Sequence, residues 1–381
     1  MTVLDHHEDV GTDTAGAPRR PTDRGYALID GDSHVQTASG IAGLYPYMTE
    51  GWRNHFRFKR AETNLFPLPL KFATPGNSPY RSDASEAPGM VPGSNPAFVV
   101  KDHLERHDIA AMVSTSLEAG AFGSGLANPD EAAVLCAAFN DYYLEQWCEY
   151  DSRFRYAITV SPQDPEQAAA EVARRGAHPG AAAIYMPWEN VLIGNRKYDP
   201  IYRAAQEADL PILLHLSGLE TVGQGAPVWP AGNPDTFAER RVGYPVFAWA
   251  HLGSLAMSGV LAKFPRLKFI FVELGFSWVL PALWRLDATW RATRIETPWL
   301  TRPPSEDLRG RVWFTTDNID EPSRPGDLYK LIEMMGPEWL VYGSDYPHWD
   351  GDEPGKVLTR LDDAAMRRVM QTNAEAVFRL S

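Results

Sequence analysis

Asp32 and His34, in the stretch Ile29-Asp30-Gly31-Asp32-Ser33-His34, put a carboxylate and an imidazole two positions apart at the end of an apolar run. Residues two apart on a strand project to the same side, so one metal ion could take both. Asp-x-Ser-His is also the composition of a turn whose side chains cap the next segment. Later stretches repeat the theme. Pro-Ile-Leu-Leu ends in His215, Phe-Ile-Phe-Val ends in Glu273, and Val-Tyr-Gly-Ser leads to Asp345 and, three residues on, His348. Each follows a run that should be buried, and an ionisable group there needs a partner or a metal because an unpaired buried charge is costly. Taken singly, His215 could be a core imidazole, Glu273 a partner of Arg285, and Asp345 the cap of the turn before Pro347. Taken together, His and carboxylates at one site are the usual composition of a metal centre, with Glu273 or Asp345 available for acid–base work. His251, in Ala-Trp-Ala-His-Leu-Gly-Ser, falls in a helical run. It stays a candidate ligand, alternative to His348, because that helix follows the fifth strand.

The elements that must position these groups alternate. Apolar strands are read at the lead-in to Asp32, then at 110–115, 155–160, 181–186, 211–216, 267–272, 311–316 and 339–342. Helices are read at 99–107, 129–150, 165–175, 201–208, in a run ending at Phe264, and at 278–292, 327–335 and 362–378. Eight strand–helix units imply a parallel sheet and suit an α/β fold of the (β/α)8 TIM-barrel kind, whose active site lies at the C-terminal strand ends. An open doubly wound sheet is the alternative, but no Gly-x-Gly-x-x-Gly follows the first strand. The Pro-, Ser- and Gly-rich stretch within residues 60–98 is long enough to be a lid after the first strand. Residues 219–243 read as a second insertion. Residues 1–24, polar and aperiodic, read as a disordered arm, and its His6-His7 pair is expected to be part of that arm. Residues 25–381 read as the barrel domain.

Composition narrows the function. The chain has 381 residues, a net charge of −13 and two cysteines. Its acidity argues against nucleic acid, which needs clustered Lys and Arg. No apolar run reaches the ~18 residues of a membrane span, and two cysteines are too few for a disulfide framework, so a reduced cytoplasmic setting is expected. The 12 Trp and 31 Pro suggest a rigid, aromatic-lined interior. Trp188, Trp278, Tyr346 and Trp349 are the aromatic candidates for contact with substrate.

Asp30-Gly31-Asp32-Ser33-His34, Leu214-His215, Phe264-Pro265-Arg266-Leu267-Lys268 leading to Glu273-Leu274-Gly275-Phe276-Ser277-Trp278, Gly343-Ser344-Asp345-Tyr346-Pro347-His348 and Asn373-Ala374 together resemble the metal-dependent amidohydrolase superfamily, in its amidohydrolase-2 branch. The resemblance runs from about Ala27 to Leu380. It implies a distorted (β/α)8 barrel with metal on Asp32, His34, His215 and Asp345. Two departures stand out: the usual His-x-His of the first strand is Asp32-x-His34, and the usual sixth-strand His is Glu273. No strand-end lysine is present to bridge two metals.

With three carboxylates (Asp32, Glu273, Asp345) and three imidazoles (His34, His215 and either His348 or His251), the ligand balance suits iron. It is similar to that of the TIM-barrel non-haem diiron monooxygenases of bacterial natural-product biosynthesis. That resemblance implies two iron ions, O2 as co-substrate, an electron donor, and hydroxylation of a bulky apolar, diterpenoid-like small molecule carried as a coenzyme A thioester. The alternative is a zinc- or manganese-dependent hydrolase or decarboxylase with one metal. A barrel used only as a scaffold would have lost Asp32 or His34. Self-association into a homo-oligomer is left open.

Overall fold

The computed structural model describes residues 24–59, 80–216 and 235–380. The arm at 1–23, the start of the lid and much of the 219–243 insertion lie outside the described residues. The strands are β1 (Leu28–His34), β2 (Ile109–Thr115), β3 (Phe154–Thr159), β4 (Ala181–Tyr185), β5 (Ile212–Leu214), β6 (Phe269–Phe271), β7 (Val312–Thr315) and β8 (Leu340–Val341). Each pairs in parallel with the next in chain order. β8 returns to β1 through Gly31 N–H donating to Tyr342 O at 2.8 Å and a parallel bridge between Ser33 and Tyr346. The result is the expected (β/α)8 barrel.

Strands covered on both faces read as continuous apolar runs, and β4, Ala-Ala-Ala-Ile-Tyr, is buried throughout. The apolar residues divide into two layers. Ile29, Val113, Ala157, Ala183, Leu213, Ile270 and Val341 fill the barrel, with Val377 and Phe378 packed among them. A larger layer lies between strands and helices. The helices that matter below are α1 (Leu117–Gly125), α2 (Pro129–Tyr143), α3 (Pro165–Arg175), α4 (Asp199–Ala208), α5 (Phe237–Met257), α6 (Val279–Thr293) and α7 (Pro325–Met335). Asn128 and Asp164 cap α2 and α3 from side chains placed just before a first-turn proline. The runs read as helices at 99–107 and 129–150 relax into wider π-helical turns at Val100–Glu105 and Leu144–Cys148.

The β1–β8 seam depends on one glycine. A Cβ on Gly31 would lie 2.6 Å from Val341 Cγ1 and 3.0 Å from Tyr342 O. Gly31→Ala is therefore expected to destabilise the fold by about 1–3 kcal/mol, the usual cost of overpacking. Denaturant unfolding checks this, and unchanged stability would mean that the two strands part freely at that point. The described end of the lid crosses the same seam. Tyr80 bridges to His348, Arg81 N–H donates to Pro347 O at 2.9 Å, and Gln36 N–H donates to Gly93 O at 3.0 Å.

Candidate metal centre

Four strand ends deliver six side chains to two overlapping groupings that share His34. Asp32 and His34 leave β1, His215 follows β5, Glu273 follows β6, and Asp345 and His348 follow β8. All except Glu273, which is partly buried, are almost wholly removed from solvent. His34 Nε2 lies 2.9 Å from Asp345 Oδ1 and 3.9 Å from Asp32 Oδ2, and His215 Nε2 lies 3.9 Å from Asp32 Oδ2 and 3.1 Å from Glu273 Oε2. His348 Nδ1 lies 2.6 Å from Asp345 Oδ1. Ligands about 2.0–2.2 Å from a common ion stand this far from one another.

The hydrogen bonds behind the imidazoles set their direction. His34 Nδ1 bonds Thr115 Oγ1 at 3.0 Å, and His215 Nδ1 bonds the backbone oxygen of Leu216. Each Nε2 is thereby turned inward, the arrangement that fixes a metal-binding tautomer. Both oxygens of Asp32, His34 Nε2, His215 Nε2, Asp345 Oδ1 and His348 Nε2 are buried without a hydrogen bond. So many orphaned polar atoms around one point fit a cation, since a buried group left unpaired costs about 1–3 kcal/mol or more.

Electrostatics agree at His34 and His348. Burial, then the neighbouring imidazoles, hold His34 well below its ordinary pKa, and burial lowers His348. Neutral imidazole is the metal-binding form. Burial, then the Asp317 carboxylate, pushes Asp32 well up; burial and the Glu273 charge do the same to Asp345. Burial alone would raise Glu273 too, but His215, His348 and Asn318 pull it down to about 2. Burial would lower His215, but Glu273, with the Leu216 carbonyl and Asp345, outweighs it and raises the pKa. Glu273, Asn318 and Asp345 all have φ between 55° and 59°, a left-handed conformation that costs side-chain-bearing residues of order 1 kcal/mol or more each and that clusters at functional sites.

Other candidates lie elsewhere. His251, in α5, is buried against Trp188 and Phe247, with ring centroids 4.2 and 4.7 Å away, and is not among the side chains gathered at the cluster. Burial pushes it down to about 3. Trp278 packs against Phe314 and donates to Leu274 O and Gly275 O. Tyr346 stacks on His103 and donates to Asp102 Oδ2 at 3.0 Å. Trp349 is 53% exposed.

Beneath the cluster, Asp30 accepts from His103 Nε2 at 2.8 Å and from Ser344 N and Oγ at 2.9 and 2.6 Å, locking the β8 turn to β1.

Three acidic or amide residues went unread in the sequence. Asp317 follows β7, is buried with both oxygens unpartnered, and lies against Asp32 over Gly343. Asn318 donates to Glu273 Oε1 at 3.1 Å. Glu118, in the first turn of α1, is buried and accepts from Thr37 Oγ1 at 3.2 Å. Its burial raises the carboxyl pKa from 4.5 to about 7. The native carboxyl thus binds its proton more tightly than the unfolded one. Its contribution to stability is full below about pH 4.5 and is lost as pH rises through about 7. Glu118→Gln, which keeps an acceptor for Thr37 and cannot ionise, should stabilise the protein at pH 8 by up to about 3 kcal/mol and by little at pH 4.5. Unfolding of both proteins at the two pH values tests this, and parallel pH profiles would contradict it.

Comparison with known proteins places this geometry. The family model described as Amidohydrolase matches residues 98–380. Gamma-resorcylate decarboxylase of Rhodococcus jostii is 23% identical over 300 residues, covering 73% of this chain and 85% of that protein. The solved 5-carboxyvanillate decarboxylase of Novosphingobium aromaticivorans, with manganese bound, superposes with a TM-score of 0.64 at 21% identity, over 93% of this chain and 97% of that one. The dihydroxybenzoic acid decarboxylase of Polaromonas sp., with manganese and 2-nitroresorcinol, gives 0.59 at 18% identity, over 92% and 96%.

These findings correct the expectation of an iron- and O2-dependent diiron monooxygenase, an oxidoreductase of natural-product biosynthesis acting on a coenzyme A-linked apolar substrate. The aligned relatives are decarboxylases, and both solved structures named above hold manganese. The candidate ligand atoms form two overlapping groupings, His34–Glu273–Asp345–His348 and Asp32–His34–His215, joined at His34, whose Nδ1 bonds Thr115 Oγ1 and whose Nε2 is the nitrogen it offers to either. The amidohydrolase resemblance stands. Among the described residues no helix is long and apolar enough to cross a membrane.

Proposed function

The chain belongs to the amidohydrolase family, and on that footing we propose that it is a metal-dependent decarboxylase of an aromatic carboxylic acid. The observation that carries this reading is the set of buried, unpartnered ligand atoms on Asp32, His34, His215 and Asp345, each standing 2.9–3.9 Å from another of the set. Those four side chains would hold one divalent ion, manganese being favoured by what the similar structures contain. When bound, that ion supplies the positive charge that holds the substrate's carboxylate and draws electron density from the ring.

The remaining work falls to the chain. In decarboxylation the bond between ring and carboxylate breaks, CO2 leaves, and the electron pair left on the ring carbon takes up a proton. Glu273 is committed through both oxygens, Oε2 toward His215 and Oε1 to Asn318. Asp345 meets His34 and His348 through Oδ1, so Oδ2 is the oxygen placed to deliver the proton. Glu273 then serves as a fixed negative charge that keeps His215 oriented. The described end of the lid, pairing Tyr80 with His348, shields the reacting atoms from water.

The test is direct. Protein loaded with manganese is incubated with 2,6-dihydroxybenzoate, 5-carboxyvanillate and related hydroxybenzoates, and release of CO2 is measured. Metal-dependent release from one of them is expected. Absence of release across the series, with hydrolysis of an ester or amide instead, would replace decarboxylation by hydrolysis at the same centre.

A further inference from the structure

Arg241 lies near the start of α5, whose first turn is set by a capping box between Thr236 and Glu239. Its guanidinium donates to Asp350 Oδ2 and to Asn318 Oδ1. It also stands 6.0 Å from the ring centroids of both Phe237 and Trp349. Asn318 passes the connection inward to Glu273 Oε1, and Glu273 Oε2 faces His215 Nε2 at 3.1 Å. A continuous polar chain therefore runs from a side chain that is 31% exposed to a buried candidate ligand.

The charge balance gives this arginine a purpose. Asp32, Glu273, Asp317 and Asp345 crowd the centre, and Asp350 joins them at Arg241. Arg241 is the guanidinium set at the edge of this carboxylate cluster, bonded to Asp350 and Asn318. Burial opposes the charge on Arg241, but Asp350 and Glu273 hold its pKa above the ordinary value, and its own charge reaches His348. Of the five N–H donors of a guanidinium, two are engaged by Asp350 and Asn318, which leaves donors for a further oxygen. Trp349, 53% exposed beside it, offers a flat apolar face of the kind on which an aromatic ring settles.

We propose that Arg241, with Trp349 beside it, is the specificity element that recognises a second oxygen substituent, carboxylate or phenolic, on the aromatic acid whose first carboxylate sits at the ligand cluster. This rests on the aromatic-acid reading above. The experiment measures binding of isophthalate, 3-hydroxybenzoate and benzoate to the manganese-loaded protein by calorimetry, in the wild type, Arg241→Gln and Arg241→Lys.

The wild type is expected to prefer isophthalate or 3-hydroxybenzoate over benzoate, and which of the two it prefers identifies the oxygen that is read. Arg241→Gln should cut that preference about tenfold or more, the size of one charge-assisted hydrogen bond, while manganese content is retained. Arg241→Lys should recover only part of it, because it keeps the charge and loses the fork. An undiminished preference in Arg241→Gln would overturn the proposal, and so would loss of manganese, which would make the chain to Glu273 purely structural. Binding of benzoate with no preference in the wild type would overturn the Arg241 assignment alone. Failure of all three acids to bind the wild type would overturn the aromatic-acid reading, and this one with it.

Discussion

His215→Ala should leave a folded barrel that neither holds a divalent ion nor turns over substrate. His215 sits at the end of β5 with no detectable exposure, its Nδ1 committed to Leu216 O and its Nε2 facing Asp32 and Glu273. Removing the imidazole deletes one of the four ligands and leaves Glu273 without the partner that keeps it ionised. Loss of an outer-shell partner costs roughly 10–100-fold in metal affinity or activity, so loss of a ligand should exceed that range in both. The barrel interior of β5 and β6, Leu213 and Ile270, is untouched, so cooperative unfolding should persist. Elemental analysis after manganese loading, paired with circular dichroism, separates the outcomes. Full metal content in a folded His215→Ala protein would remove His215 from the centre.

The second large effect is expected at Asp345. Asparagine preserves the shape of the side chain but has no proton to give, and as a neutral ligand it binds a cation more weakly. If Asp345 delivers the proton to the ring carbon, Asp345→Asn should lose about 10²–10⁴-fold in kcat, the usual contribution of a positioned general acid. The loss should remain when manganese is raised to saturation. Recovery of kcat at high manganese would limit Asp345 to holding the ion and remove the proton step from it. The backbone gives a further reason to expect sensitivity here. Asp345 is held at φ 56° by its own N–H bonded to Asp32 O at 3.1 Å and by the Asp30–Ser344 bonds beside it.

Much of this was legible from residue order. Five of the eight strands, β1, β5, β6, β7 and β8, lead into His, Asp or Glu, because a strand buried on both faces pushes most ionisable side chains to its end. Asp32, His34, His215, Glu273, Asp345 and His348 were readable for that reason. Asp317 follows the same rule after Val312–Thr315, but Asp317-Asn318-Ile319-Asp320 has the composition of a turn, where an Asp is ordinary. Glu118 was hidden in the first turn of a helix, where an acidic residue is ordinary.

The aromatic residues were harder to place. Nothing in local sequence separates Trp278, whose indole is tied to Leu274 O and Gly275 O in the core, from Trp349 on the rim. That distinction is tertiary. The choice of metal and reaction was the least legible. A balanced set of imidazoles and carboxylates suits iron and manganese alike, and it was the decarboxylase relatives and the manganese in similar structures that turned the reading away from iron.

The most direct test of this account is the metal content of the purified chain after loading with manganese and removal of excess ion, measured by elemental analysis against protein concentration. The account predicts a single manganese ion per chain, lost in His215→Ala. Two tightly held ions per chain, or none, would contradict the centre described for Asp32, His34, His215 and Asp345.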